Sequence, residues 1–126
     1  MTKLPQPYEW FKKTYPEIWQ AYDRLGALTH AAGPLSGKER ELVKLGLSVG
    51  AHKEGAVHSH TRRALQQGAT REEIYQVVLL GLTTLGFPAT IAAMTWIQDE
   101  LDGRGRPRNG GRRALVLSRK VTRIKP

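Results

Sequence analysis

From Pro16 to Leu101 the apolar residues recur at three- and four-residue intervals, and no stretch there alternates with period two long enough to make a strand. A chain patterned this way buries helical stripes against one another, so the sequence predicts an all-α fold. At 126 residues it can hold one ordinary core and not two. Strand character is confined to residues 114–117, near the end of the chain.

The helix boundaries follow from local chemistry. Pro16 opens a long helix, where its missing N–H costs nothing, and Ile18, Trp19, Tyr22, Leu25 and Leu28 form one stripe expected to be buried. Gly33-Pro34 ends it. Ser36 with Glu39 three residues on reads as a capping box for the next helix, whose stripe is Leu42, Leu45 and Val49. A third helix over about 53–67 stops at Gly68, a suitable left-handed cap. Thr70 and Glu73 make a second capping box, opening a helix that is expected to run to Gly86 through Val77, Val78, Leu80, Leu82 and Leu85. That helix is apolar on nearly every side, which in a domain of this size predicts a face shared between subunits. Pro88 starts a last helix through Ile91, Met94, Trp96, Ile97 and Leu101. The expected organisation is an N-terminal helical segment over 1–35, a helical core over 36–102 and a basic tail over 103–126.

The net charge of +9 suggests nucleic acid until it is located. All eleven acidic residues and eleven of the twenty basic ones fall in residues 1–102, so the body is neutral. The other nine basic residues crowd the Gly- and Pro-containing tail. The tail is expected to be flexible, or docked on a neighbouring subunit through its apolar patches, and dispensable for folding of the body. With no basic face or helix-turn-helix signature in the body, nucleic acid is not the expected partner. The N-terminus lacks the apolar run of a secretory signal, and the apolar stretch 74–87 is too interrupted to span a bilayer. The default expectation is a cytoplasmic protein with no membrane association.

Chemistry concentrates between Glu41 and Leu65. Two successive helices place Glu41 and His60, nineteen residues apart, where they could meet, and such a pair is raw material for proton transfer. Lys53, Ala56 and His60 share one face of the third helix, which makes Lys53 a candidate to attract a substrate carboxylate. His58 projects nearly opposite, beside Glu54 and Arg62, as a second candidate substrate-binding residue, a solvated ladder or a contact between subunits. The i, i+2 spacing of His58 and His60 cannot grip one metal from a regular helix, and His30 and His52 would have to converge from elsewhere, so no metal is expected. Nor is a cofactor. With no cysteine in the chain, disulfides, thiolate catalysis and zinc–thiolate sites are excluded.

Glu41, positions 53 and 56, His60 followed by Thr-Arg-Arg-Ala-Leu, and the run Gly-Ala-Thr-Arg-Glu-Glu-Ile together resemble the carboxymuconolactone decarboxylase superfamily, which includes the alkylhydroperoxidase D-like proteins. The similarity covers about residues 36–101, with Gly86-Phe87-Pro88-Ala89 at the last helix junction. The resemblance implies an alkylhydroperoxidase D-like helical fold in a homotrimer or a hexamer built from trimers. In the peroxidase branch, Glu is followed by Cys-x-x-Cys and then by His. Here the two cysteine positions are Lys53 and Ala56, which can supply neither nucleophile nor resolving thiol. The resemblance therefore implies the cysteine-less, lyase-like side of the family: acid/base chemistry on a small organic acid or lactone, with His60 and Glu41 catalytic and Lys53 and His58 binding substrate. The competing reading is a non-catalytic scaffold or regulatory member that lost the redox cysteines.

Overall fold

The computed structural model describes residues 6–103, and every regular element among them is helical: α1 (Gln6–Thr14), α2 (Pro16–Ala31), α3 (Gly37–Gly50), α4 (Glu54–Gln66), α5 (Arg71–Leu79), α6 (Leu82–Leu85) and α7 (Phe87–Leu101). The strand-like residues 114–117 and the basic tail beyond Gly103 lie outside the described residues. Two compact units divide after Ser36.

The first unit is α1 and α2, joined by a run of aromatic rings. Phe11 packs on Tyr15 at 5.3 Å and on Trp19 at 6.4 Å, and Trp10 meets Tyr15 edge-on at 6.0 Å. The expected burial of the α2 stripe is not seen: Ile18, Tyr22, Leu25 and Leu28 are all more than half exposed. Within its unit α2 has only α1 to pack on. Nine residues cannot cover sixteen.

The second unit carries the core. Here α4 packs against both α3 and α7, with α5 closing the space between α3 and α7. Leu45, Val57, Ile74, Val78, Ala93 and Ile97 are wholly buried at the centre. Each comes from a helical stripe: Leu45 with Glu41, Ser48 and Val49 on α3; Val57 with Thr61 and Ala64 on α4; Ala93 with Thr90, Ile97 and Glu100 on α7. Glu41 and Glu100 are carboxylates set into otherwise apolar or small stripes, so their partners have to come with them into the core.

The same device ends α3 and α4. After α4, the Gly68 N–H bonds to the Leu65 carbonyl and the Ala69 N–H reaches back to Ala64 at 2.9 Å, with Gly68 left-handed at φ 94°. After α3, the His52 N–H bonds to Val49 and the Lys53 N–H reaches Ser48 at 3.1 Å, but the left-handed position, φ 56°, is held by His52. Both are Schellman closures, and the second gives up the glycine that makes the conformation free. An L-residue there costs about 1–2 kcal/mol. Lys53 then doubles as the N-cap position of α4 through its backbone.

The capping box at Thr70 is fully formed: its Oγ1 accepts from the Glu73 N–H at 3.0 Å, and Glu73 Oε1 accepts from the Thr70 N–H at 2.9 Å. Glu73 also pairs with Lys38 of α3 at 3.0 Å. Thr70→Ala is expected to lower stability by about 1 kcal/mol in denaturant melts, while Thr70→Ser stays close to wild type.

The helix expected over 71–86 is not continuous. It stops at Leu79, turns through Leu80 and Gly81, and resumes for one turn as α6. Gly81, the weakest helix former in the segment, donates to Val78 rather than to the fourth residue back, and Thr83-Thr84 follows with little propensity to resist the break. Leu79 and Leu80 are left 53% and 68% exposed.

Candidate active site

Glu41 opens the buried stripe of α3, and His60 flanks the buried face of α4 one turn after Val57. Packing of the two helices brings His60 Nδ1 to 2.8 Å from Glu41 Oε1. Both side chains are largely covered, 15% and 9% exposed. Burial pushes the Glu41 carboxyl up, but the His60 hydrogen bond and charge, with the Arg63 and Lys44 cations beyond, outweigh it and hold the group below its ordinary 4.5. Glu41 is therefore a carboxylate at neutral pH and accepts from Nδ1–H. That assigns the tautomer: in neutral His60 the proton sits on Nδ1, leaving the Nε2 lone pair on the far side of the ring free to take a proton. When Nε2 is protonated, Glu41 stabilises the resulting cation. The arrangement is that of a general base with an orienting carboxylate.

His58, on the next face of α4, is held differently. Its Nδ1 lies 2.7 Å from Glu100 Oε2 and its Nε2 3.2 Å from Glu54 Oε2. Two carboxylates can both be satisfied only if both ring nitrogens carry protons, so the geometry selects the imidazolium. The Glu100 hydrogen bond raises the His58 pKa from 6.5; burial opposes this, and the Glu54 bond adds to it. Arg62 Nη1 bonds the same Glu100 oxygen at 2.9 Å, and that carboxylate is only 1% exposed. Burial pushes Glu100 up, but the His58 bond and the Arg62 charge and bond hold it below 4.5. Two histidines two residues apart thus have separate characters. His60 meets a carboxylate at Nδ1, while His58 bridges two carboxylates, one on its own helix and one on α7.

Of the four residues singled out from the sequence, the structure joins Glu41 to His60, ties both ring nitrogens of His58 to carboxylates, and leaves Lys53 exposed at the start of α4. Among the described residues no three His, Cys, Asp or Glu side chains are grouped to hold a metal ion, and no helix is long and apolar enough to cross a membrane. Two residues escaped the sequence reading. Glu100 stands among acids at the end of α7, with Asp99 and Asp102, but its spacing from Ala93 and Ile97 places it on the buried stripe of that helix. His52, at the closure of α3, has its ring 5.0 Å from that of Trp96. The missing glycine at that closure was the signal that could have found it.

Comparison with known proteins bears on the family and the fold. The profile of the carboxymuconolactone decarboxylase family matches residues 16–99. An uncharacterised protein of Methanocaldococcus jannaschii is 29% identical over 84 residues, covering 66% of this chain and 81% of its own. Among solved structures, an apo carboxymuconolactone decarboxylase family protein from Legionella pneumophila superposes with a TM-score of 0.69 at 23% identity, covering 77% of this chain and 87% of that one. At that identity the superposition speaks for the fold.

Proposed function

Because the chain belongs to the carboxymuconolactone decarboxylase family, we propose that it carries out acid/base chemistry, proton transfer or decarboxylation, on a small organic acid or lactone. The observation that supports this most is the 2.8 Å bond between His60 and Glu41, which leaves Nε2 as the reacting nitrogen. In this reading His60 Nε2 takes a proton from, or returns one to, the carbon that carries the developing enolate. Glu41 holds the tautomer and balances the imidazolium. Lys53 at the start of α4 and Arg63, one turn beyond His60, attract the substrate carboxylate. His58 is given no substrate contact, since both of its ring nitrogens are engaged. With no cysteine, thiol peroxidase chemistry plays no part.

The direct test is to incubate the protein with a panel of small carboxylic acids and lactones in D2O and follow the carbon-bound protons by NMR. Deuterium entering a position next to a carbonyl, or loss of carbon dioxide, above the protein-free rate is expected for at least one of them. A protein that binds members of the panel but exchanges none supports the scaffold or regulatory reading instead.

The proposal extends to a homo-oligomer, a trimer or a hexamer built from trimers. Leu47, Leu79, Leu80 and Phe87 of the second unit are all more than half exposed. Covering the exposed part of four such side chains gains about 3–6 kcal/mol, at about 1.5–3 kcal/mol for each one fully buried. Sedimentation equilibrium at micromolar concentration is expected to show the assembly, and Leu80→Glu to weaken it. A sharply melting wild-type monomer that binds no hydrophobic dye would rule it out.

A further inference from the structure

Helix α7 ends at an exposed Gly103, left-handed at φ 78°, whose N–H bonds back to the Glu100 carbonyl at 3.1 Å. Of the acids at this end, Glu100 is buried under His58 and Arg62, and Asp102 is paired with Arg71 at 3.5 Å. The sequence beyond, residues 104–126, holds nine of the chain's twenty Lys and Arg and none of its eleven Asp and Glu. Residues 1–102 balance eleven against eleven, so the charge of the tail is a surplus with no counterpart in the composition of the body. The neutrality of the body argued against nucleic acid as its partner. The order of residues in the tail makes a separate case.

Arg104-Gly105-Arg106-Pro107-Arg108 alternates three guanidinium groups with the two residues that oppose a helix most strongly. Pro107 also disfavours helical backbone at Arg106, which sets this run toward an extended line. A helix with its side chains is about 10–12 Å across and suits the major groove of DNA, about 12 Å wide. An extended single chain is about 5 Å thick and suits the minor groove, about 6 Å wide. A-tracts narrow that groove further and deepen the negative potential that draws arginine into it. Gly105, with no Cβ, lets the backbone come close to the groove floor between two arginines. An anionic lipid surface responds to the number of charges and to apolar bulk, and neither selects a glycine between arginines. The minor groove of duplex RNA is wide and shallow and gives a thin chain no walls.

From this order of residues within the segregated charge, we infer that residues 104–108 are a DNA-binding site for the minor groove of A·T-rich duplexes. Arg104 and Arg106 lie along the groove, where A·T pairs present only acceptors and the guanine amino group of a G·C pair would obstruct them. The basic residues from Arg112 to Lys125 meet phosphates, which add affinity without adding sequence preference. This function is independent of the proton-transfer pair.

Fluorescence anisotropy of labelled duplexes of equal length, titrated with the full-length protein, tests the inference. The A·T duplex is expected to bind at least about tenfold more tightly than the G·C duplex. An inosine·cytosine duplex, which joins the major groove of G·C to a minor groove without the guanine amino group, should bind like A·T. Affinity for each should fall steeply with salt. Gly105→Val and Arg106→Ala should each remove most of the tenfold preference and leave the melting of the body unchanged. Arg119→Ala combined with Lys120→Ala should weaken the A·T and G·C duplexes alike. Equal affinity for A·T and G·C overturns the inference, as does a preference that survives Gly105→Val, or an inosine·cytosine duplex that binds like G·C. Binding to duplex RNA, or to vesicles of equal parts phosphatidylserine and phosphatidylcholine, as tight as to A·T DNA would make the tail a general polyanion arm and overturn it too. Absence of binding to any of these, with truncation after Gly103 altering sedimentation, would place the tail on a neighbouring subunit instead.

Discussion

Replacing Glu100 with alanine is expected to lower the melting temperature by about 10–20 °C. The Glu100 carboxylate is 1% exposed and accepts from both His58, at 2.7 Å, and Arg62, at 2.9 Å. It ties α4 to α7. Hydrogen bonds to charged groups contribute about 1.5–3 kcal/mol each. The loss is less than the sum, because Arg62 is 24% exposed and can turn to water, and His58 keeps Glu54 and can shed its proton. A net 2–3 kcal/mol remains, at about 4–8 °C per kcal/mol for a domain of this size. Glu100→Gln, which keeps the shape and loses the charge, should fall between the two.

The same cluster gives the loss a pH signature. The His58 pKa is raised in the folded protein, so its contribution is complete below the unfolded value of 6.5 and disappears as pH climbs through the folded value. The Glu100 pKa is lowered, so its contribution is complete above the unfolded value of 4.5 and disappears as pH falls through the folded one. The gap between wild type and Glu100→Ala should therefore be widest between pH 4.5 and 6.5 and shrink on either side. A gap that is flat with pH would mean that the carboxylate acts by packing alone. A gap below 1 kcal/mol throughout would mean that His58 and Arg62 rearrange without cost.

What the sequence allowed and withheld follows the range of each interaction. Glu41 and His60 were legible because both sit on regular helices joined by a short elbow, so spacing within one hairpin fixes which faces meet. The His58 partner was not, because Glu100 lies 42 residues away on a helix whose rotation depends on packing against α4 and α5. The break in the expected helix hung on Gly81, about 1 kcal/mol less favourable than alanine in a helix, where apolar periodicity continues straight through the interruption. The α2 stripe had the pattern of a buried face, but pattern reports only what a helix can bury. Whether a surface exists to receive it is not written in the helix's own sequence. His52 was hidden for the opposite reason: the interactions that place it are local, but only the backbone hydrogen bonds after α3 show that the left-handed residue is at 52.

The largest effect on function should come from His60→Gln, which is expected to reduce the rate of carbon–hydrogen exchange on the substrate found by the D2O panel by about 10²–10⁴-fold, the usual contribution of a positioned general base. Glutamine can still donate an amide N–H to Glu41, so the helix packing and the melting temperature should stay near wild type, and a fall in rate cannot be blamed on unfolding. What glutamine lacks is a nitrogen that takes and releases a proton. Glu41→Gln should cost less, about tenfold: its amide oxygen can still accept from Nδ1–H and hold the tautomer, but it no longer balances the charge on protonated His60. Both losses should fall on kcat, with KM little changed, since neither side chain is assigned to substrate binding. A double variant only as slow as His60→Gln alone would show that the two act as one unit. A His60→Gln protein that exchanges within about twofold of wild type would remove His60 from the chemistry altogether and leave the pair as a structural clasp between α3 and α4.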